Sequence, residues 1–139
     1  MIKHILAALA LASSALIAQA AIVDIDNAEL ARLRASGVPV VDVRTEGEWK
    51  ASGVLAGSRL ATFFDEAGRS NPPQWLEKIK AVAKPDQPVV VICRSGRRSQ
   101  AVAQYLSEQA GYKTVYNVSK GMNGWLGEGR PVVPPAPAK

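Results

Sequence analysis

The sequence has few of the residues that enzymes most often use as nucleophiles, bases and metal ligands. Its 139 residues contain one cysteine, Cys93, and one histidine, His4. A single cysteine excludes an intramolecular disulfide, a redox pair of cysteines and a cysteine–histidine metal site. Lysine and arginine never occur more than two in a row, and the formal net charge is only +5. A basic stripe with interleaved aromatics is therefore missing, and we expect no nucleic-acid partner, no metal and no cofactor.

The first twenty residues differ in composition from the rest of the chain. A short basic start at Lys3 and His4 precedes an almost unbroken apolar run, Ile5 to Ile17, which ends in Ala18-Gln19-Ala20. This order is typical of a secretory signal peptide cleaved after Ala20. An uncleaved membrane anchor is the alternative, but the run is shorter than the roughly 20 apolar residues that a membrane span needs. We expect a periplasmic or secreted protein with no stable membrane insertion, in which no histidine is left to act as a general base.

Between residues 21 and 130, strand and helix patterns alternate, which predicts one α/β domain. The expected strands are 21–25, 38–43, 58–61, 88–92 and 114–118, and the expected helices are 27–35, 45–51, 72–83, 99–110 and 121–126. The run Val89–Ile92 is entirely β-branched, as in a central parallel strand that is covered on both faces. The proline-rich tail, residues 131–139, is expected to extend along the surface without packing.

The segment after this strand combines the cysteine with three arginines. Cys93 follows the strand directly, the loop Arg94-Ser95-Gly96-Arg97-Arg98 comes next, and Ser99 is expected to begin a helix. In an open α/β sheet the carboxyl ends of the strands border the ligand crevice. The pattern thus predicts a thiol at that crevice, beside a helix N-terminus. Only the thiolate is nucleophilic, and a free cysteine, with a pKa of about 8.5, is mostly protonated at neutral pH.

Features of this loop favour the thiolate. The helix dipole contributes roughly one pKa unit at most. The backbone N–H groups from Arg94 to Ser99 can surround the sulfur as an anion nest, and Gly96 permits a left-handed bend there. Arg94, Arg97 and Arg98 would add positive potential at the mouth, and the same cradle would hold a persulfide anion. The alternative is a buried structural thiol beside a solvated arginine face.

Three segments resemble rhodanese-like sulfurtransferases, in the same order along the chain. They are VVDVRTEGEW (Val40–Trp49), CRSGRRS (Cys93–Ser99) and GYKTVYNVSKGMNGW (Gly111–Trp125). The resemblance covers about residues 26–132. It implies an α/β fold, with an open parallel sheet flanked by helices on both faces, and a double-displacement transfer through a cysteine persulfide.

By position, the resemblance makes Cys93 the persulfide-forming residue. The candidate substrate-binding residues are Arg94, Ser95, Gly96, Arg97, Arg98 and Ser99. An arginine directly after the cysteine resembles members that use thiosulfate. The implied partners are a small anionic sulfur donor and a thiophilic acceptor: cyanide, a thiol or a protein.

Other positions are expected to support the loop or to depart from the family pattern. Asp42 and Arg44 are expected to brace the end of the second strand, and Glu48 is expected to pair with Arg44, four residues before it. Val54 stands where the family usually has a histidine. Lys120 stands where a first glycine is common.

Two alternatives to an active sulfurtransferase remain open. A cysteine phosphatase or arsenate reductase places an arginine after five intervening residues, where this chain has Ser99 and where Arg98 comes one residue early. That count disfavours oxyanion chemistry. A rhodanese-like module that binds a partner or delivers sulfur to it, without turnover on small donors, is the stronger alternative.

Overall fold

The computed structural model describes residues 21–136, in which strands and helices alternate as the sequence predicts. The strands in this part are β1 (Ala21–Ile25), β2 (Val40–Asp42), β3 (Arg59–Leu60), β4 (Val89–Ile92) and β5 (Thr114–Val118). The helices are α1 (Asn27–Ala35), α2 (Glu46–Ser52), α3 (Pro72–Lys80), α4 (Arg97–Gln104) and α5 (Gly121–Gly127), and α4 continues into a π-helical turn, Tyr105–Gln109. The predicted signal peptide, residues 1–20, lies outside the described residues, as do residues 137–139.

The strands form one sheet within the described residues, in the order β1-β5-β4-β2-β3, and every strand pair is parallel. The central strand β4 explains the layers. Val89 and Val91 pack into the core beneath α3 and α4, whereas Val90 and Ile92 pack into the core beneath α1 and α5. All four are completely buried, as the unbroken β-branched run requires. The prediction of an open parallel sheet with helices on both faces is confirmed.

Side-chain caps fix where several helices begin. Asp26 accepts a hydrogen bond from the backbone of Glu29 at 2.9 Å, and α1 begins at the next residue after Asp26. Thr45 and Glu48 form a reciprocal capping box at the start of α2. This box matters for the site, because it fixes the first turn of α2 and thereby the position of Glu48.

The start of the C-terminal tail packs, contrary to the prediction. Val133 and Val54 form an antiparallel bridge with hydrogen bonds of 2.8 and 2.9 Å. Val132 packs against the core beneath α1 and α5, and the indole nitrogen of Trp125 donates to the carbonyl of Pro131 at 2.9 Å. Val132 is partly buried and the backbone of Val133 is hydrogen-bonded to Val54, so the prediction of an unpacked tail was wrong here. Val54 itself is a buried anchor of this segment.

Candidate active site

Cys93 lies directly after β4, at the carboxyl edge of the sheet. The alternation that buries Val91 beneath α4 puts Cys93 on the same face, and the residue has no exposed surface. Gly96 then takes a left-handed conformation, with φ of 93°. This bend lets α4 begin at Arg97, two residues before the predicted start at Ser99. The thiol thus sits inside the turn that leads from a central strand into a helix.

Hydrogen-bond donors surround the sulfur. The backbone N–H of Gly96 donates to Sγ of Cys93 at 3.1 Å, and the hydroxyl oxygen of Ser99 lies 3.2 Å from the same sulfur. Burial raises the pKa of the Cys93 thiol. The Ser99 hydroxyl and the backbone N–H groups of Ser99, Ser95 and Gly96 lower it by more, so the pKa lies below its ordinary value. No histidine is needed for this effect.

Two glycines allow the segment after β5 to lie against this turn. A Cβ atom on Gly96 would lie 2.2 Å from the carbonyl oxygen of Ser119. A Cβ atom on Gly121 would lie 2.5 Å from the carbonyl oxygens of Cys93 and Arg94. Any larger residue at either position would therefore push the thiol loop away from the rest of the fold.

The first turn of α5 also orients the peptide groups of the loop. The backbone N–H groups of Met122 and Asn123 donate to the carbonyls of Cys93 and Arg94, at 2.8 and 2.9 Å. These carbonyls are thereby directed toward α5, away from the sulfur. Lys120 has φ of −101°, which any residue adopts. The departure from glycine at this position therefore strains nothing.

A buried asparagine completes the site, and the sequence prediction missed it. The hydroxyl of Ser99 lies 2.6 Å from Oδ1 of Asn117, and Nδ2 of Asn117 donates to carboxylate and amide oxygens of Asp24 and Gln100, both at 3.1 Å. Asn117 pairs across the sheet with Asp24 on one side and with Val91 on the other. An amide between Val115 and Val118 in the strand-forming stretch TVYNV was the signal available in the sequence.

The loop arginines fall into two kinds. Arg98 forms two parallel hydrogen bonds with the carboxylate of Glu48, both at 2.7 Å. These bonds lower the pKa of Glu48 to about 2. The predicted pairing of Glu48 with Arg44 is wrong, because the capping box directs Glu48 toward the thiol loop. The charge of Arg98 is therefore compensated, and is not free at the mouth as the sequence suggested.

Arg94 and Arg97 are exposed, together with Ser95. Among residues 21–136, neither guanidinium makes a side-chain hydrogen bond or an ion pair. Their positive charge is available to solvent and ligands at the rim of the thiol loop. Neither side chain therefore contributes a contact that holds the described fold together.

Asp42 and Arg44 form a buried ion pair after β2. The guanidinium nitrogens of Arg44 lie 2.8–3.1 Å from both carboxylate oxygens of Asp42, and the two side chains are 1% and 0% exposed. Arg44 also donates to the hydroxyl of Ser52 at 2.6 Å and to the carbonyl of Gly53 at 2.8 Å. These contacts fasten the C-terminal end of α2 to the end of β2, so the pair supports the element that carries Glu48.

The described part of the chain shows neither a cluster of metal ligands nor a membrane-spanning helix. Across residues 21–136, no three histidine, cysteine, aspartate or glutamate side chains cluster as metal ligands would. No helix in that stretch is long and apolar enough to span a bilayer.

The sheet order and the thiol loop define an α/β protein of known type. The family model of the rhodanese-like domain matches residues 26–128, so the chain belongs to this family. It is 31% identical over 114 residues to a protein named sulfurtransferase from Allochromatium vinosum, across 81% of this chain and 95% of that one. It is 29% identical to thiosulfate sulfurtransferase 18 of Arabidopsis thaliana, across 80% and 83% of the two chains.

A solved structure gives the same result for the fold. The crystal structure of Rv0390 from M. tuberculosis superposes with a TM-score of 0.69 at 26% identity, over 84% of this chain and all of that one. The predicted family membership is confirmed.

Proposed function

We propose that this protein is a sulfurtransferase that moves sulfane sulfur from a small anionic donor such as thiosulfate to a thiophilic acceptor, through a persulfide on Cys93. The observation that carries the proposal is the setting of the sulfur, with the Gly96 N–H at 3.1 Å and the Ser99 hydroxyl at 3.2 Å, and with no histidine among residues 21–136 to act as a base. The names of the relatives support the reaction class and the donor.

The proposed reaction has two displacements. The Cys93 thiolate attacks the outer sulfur of thiosulfate, a new sulfur–sulfur bond forms, and the sulfur–sulfur bond of thiosulfate breaks. Sulfite leaves with the electron pair of that bond, and the loop N–H groups stabilise the persulfide anion. An acceptor such as cyanide then attacks the terminal sulfur, thiocyanate leaves, and the Cys93 thiolate is restored. No proton has to be transferred, which agrees with the absence of histidine from residues 21–136.

The burial of Cys93 adds a requirement. Because the residue has no exposed surface, the loop has to open before a donor can reach the sulfur. Arg94 and Ser95 are the exposed part of the turn nearest to Cys93, and their outward movement would uncover it. Arg94 and Arg97 would meet the anionic donor at this rim.

Intact-mass analysis tests the proposal. Thiosulfate should add the mass of one sulfur atom to the protein, and a later cyanide pulse should remove it. Cys93→Ser should abolish both changes while the far-ultraviolet circular dichroism stays the same, because the replacement is nearly isosteric. If neither thiosulfate nor another sulfane donor loads the sulfur, the protein is a rhodanese-like binding module instead.

Phosphate chemistry is disfavoured by the position of Arg98. Its guanidinium is held by Glu48, and Ser99 occupies the place where a phosphatase loop has its oxyanion-binding arginine. We expect negligible hydrolysis of an aryl phosphate by the natural loop. Hydrolysis as fast as sulfur transfer would contradict this.

We also propose that the protein is exported and cleaved after Ala20. Cleavage there would leave β1 intact, including the hydrogen bond from the backbone N–H of Ala21 to the carbonyl of Lys113 at 3.0 Å. The protein recovered from the periplasm of an expressing host should begin at Ala21 on N-terminal sequencing. A membrane-bound product that begins at Met1 would contradict the proposal.

A further inference from the structure

The Ser99 hydroxyl has two neighbours that compete for its single proton. Its oxygen lies 2.6 Å from Oδ1 of Asn117 and 3.2 Å from Sγ of Cys93. A serine hydroxyl has one hydrogen to donate and two lone pairs to accept with. If the hydrogen points to Asn117, the sulfur faces a lone pair, which suits a thiol. If the hydrogen points to the sulfur, it suits a thiolate, but the Asn117 oxygen loses its donor.

The orientation of the Asn117 amide is fixed by its other neighbours. Its Nδ2 faces the Asp24 carboxylate and the Gln100 side-chain oxygen at 3.1 Å, and the Gly96 carbonyl at 3.4 Å. A carboxylate can only accept, so a rotated amide would bring two oxygens together at Asp24. Oδ1 must therefore face Ser99. Asn117 is 3% exposed, so water cannot easily replace the lost donor.

We propose that Asn117 is a positioning residue that competes with Cys93 for the Ser99 proton and so sets how readily the thiolate forms. In the thiol form, Ser99 donates to Asn117 and accepts from the sulfur. In the thiolate form, the hydroxyl turns to donate to the sulfur. Asp24 acts one step further out, by keeping the amide oxygen directed at Ser99. The polar row Asp24–Asn117–Ser99 thus ends on the reactive sulfur.

This proposal makes a prediction that a purely structural role does not. Removing the Asn117 oxygen should free the Ser99 proton for the sulfur and lower the thiol pKa. Removing the Ser99 hydroxyl should raise it, because the thiolate then loses a donor. A variant that only loosened the strand would act by hydrating the sulfur, and would therefore shift the pKa equally with and without the Ser99 hydroxyl.

Other charges around the loop do not produce this pattern. They are Arg94, Arg97 and Arg98 of the loop itself, Asp24 from β1, the Asp42–Arg44 pair from β2, Glu48 from α2, and Lys120 at the start of α5. Asp24 is the one whose charge changes in a test variant below. The direct effect of the Asp24 charge on the thiol pKa is the same with and without the Ser99 hydroxyl. Measuring each variant in both backgrounds therefore subtracts it.

The experiment is the pH profile of Cys93 alkylation by iodoacetamide, read by intact mass on the full protein. Because Cys93 is buried, the pH of half-maximal rate is the readout rather than the absolute rate. We expect Asn117→Leu, which is close in shape to asparagine, to lower the apparent pKa by about one unit. Ser99→Ala should raise it, and the double variant should match Ser99→Ala alone.

A milder variant keeps the proposal testable if Asn117→Leu does not fold. Asp24 is exposed, and Asp24→Asn should allow the Asn117 amide to rotate and offer its N–H₂ group to Ser99. The apparent pKa should then fall, by more in the presence of the Ser99 hydroxyl than in the Ser99→Ala background. A shift of equal size in both backgrounds, or an unchanged or raised pKa in Asn117→Leu, would overturn the proposal.

The role inferred for Asn117 rests on the proposed function only in that a more readily formed thiolate would then serve sulfur transfer. Alkylation reads the thiol directly and needs no sulfur donor. An inactive protein with the predicted alkylation profile would refute the sulfurtransferase and leave the role of Asn117 standing. An active protein whose variants show no shift in the alkylation profile would refute the role of Asn117 and leave the sulfurtransferase standing.

Discussion

The neighbouring strands β2 and β4 end at the same edge of the sheet, and arginines follow both. After β2, Arg44 is 1% exposed and each of its three guanidinium nitrogens donates a hydrogen bond, two of them to the Asp42 carboxylate. After β4, Arg94 and Arg97 are exposed and bind no described side chain. Arginine is therefore used to hold the fold at one strand end and to present charge at the other.

The two strand ends differ because of the buried group that each arginine meets. β2 carries a buried carboxylate, Asp42, which would be costly without a partner, and Arg44 satisfies it. β4 ends in Cys93, whose donors come from the backbone and from Ser99. Arg94 and Arg97 are therefore not needed to neutralise a buried charge, and they remain exposed to solvent. Arg98 lies between these cases, because it ties the thiol loop to the braced helix α2.

The largest effect on stability should come from breaking the Asp42–Arg44 ion pair at the end of β2. Asp42→Ala leaves the Arg44 guanidinium buried without its counterion, and we expect the free energy of unfolding to fall by about 3–5 kcal/mol. Urea denaturation measures it. The control is Glu46→Ala, which removes an exposed ion pair with Lys50 and should have a much smaller effect. Equal losses would mean that the buried pair is not the brace.

The next largest effect should come from the backbone of the thiol loop. Gly96→Ala places a Cβ atom 2.2 Å from a carbonyl oxygen at a left-handed position, and should cost about 2–3 kcal/mol. Gly57 has a similar φ of 78° with open space around it, so Gly57→Ala should cost about 1 kcal/mol.

Alkylation of Cys93 adds a second measurement to this pair. Gly96→Ala should shift the pH profile of alkylation upward, because the Gly96 N–H no longer reaches the sulfur. Gly57→Ala should leave the profile unchanged. The thiol cradle does not depend on Gly96 if both variants give the profile of the unchanged protein.

A smaller effect should come from the tie between the two strand ends. Glu48→Gln weakens the paired hydrogen bonds to Arg98, and should cost about 1 kcal/mol near neutral pH, since the pair is partly exposed. The pKa of Glu48 is lowered from 4.5 to about 2 in the folded protein. Its contribution to stability is therefore complete above about pH 4.5 and is lost as the pH falls through about 2.

Urea denaturation of the unchanged protein and of Glu48→Gln, near pH 7 and near pH 2, measures this pH dependence. The difference between them should be present near pH 7 and should be largely gone near pH 2. The exposed Glu66, changed to Gln, is the control and should alter stability little near neutral pH. A difference that persists at the lowest pH would show that Glu48 acts through packing rather than charge.

Much of this molecule could be predicted from local sequence patterns. The run Val89–Ile92 predicts the central strand because its period and β-branching are local properties, and the caps Asp26 and Asn71 fix helix starts for the same reason. Gly96 and its bend belong to the same class of signal. Such features depend on neighbours within a few residues along the chain.

The features that were missed depend on residues far apart in the sequence. Arg98 and Glu48 are 50 residues apart, and Asn117 and Asp24 are 93 apart. The spacing of four residues suggested an ion pair between Glu48 and Arg44. In the structure Arg44 pairs instead with Asp42, because that buried carboxylate needs a counterion. Only the parallel register, which pairs Asp24 with Asn117, brings the polar row together. Local patterns carry no information on such a register.

The smallest effect on stability, and the sharpest test of the comparison, should come from the exposed end. Arg97→Ala removes a charge that forms no ion pair with a described residue, so the free energy of unfolding should change by less than about 0.5 kcal/mol. If that charge attracts the anionic donor, the KM for thiosulfate should rise about two- to fivefold with kcat nearly unchanged. Raising the ionic strength should shrink the effect, because salt screens exposed charges. Lys113→Ala is the matched control: it removes the same charge at the opposite edge of the sheet, just before β5, and should leave KM unchanged. An equal rise in KM for both variants would show that net charge, rather than the placement of Arg97 beside Cys93, draws the donor in.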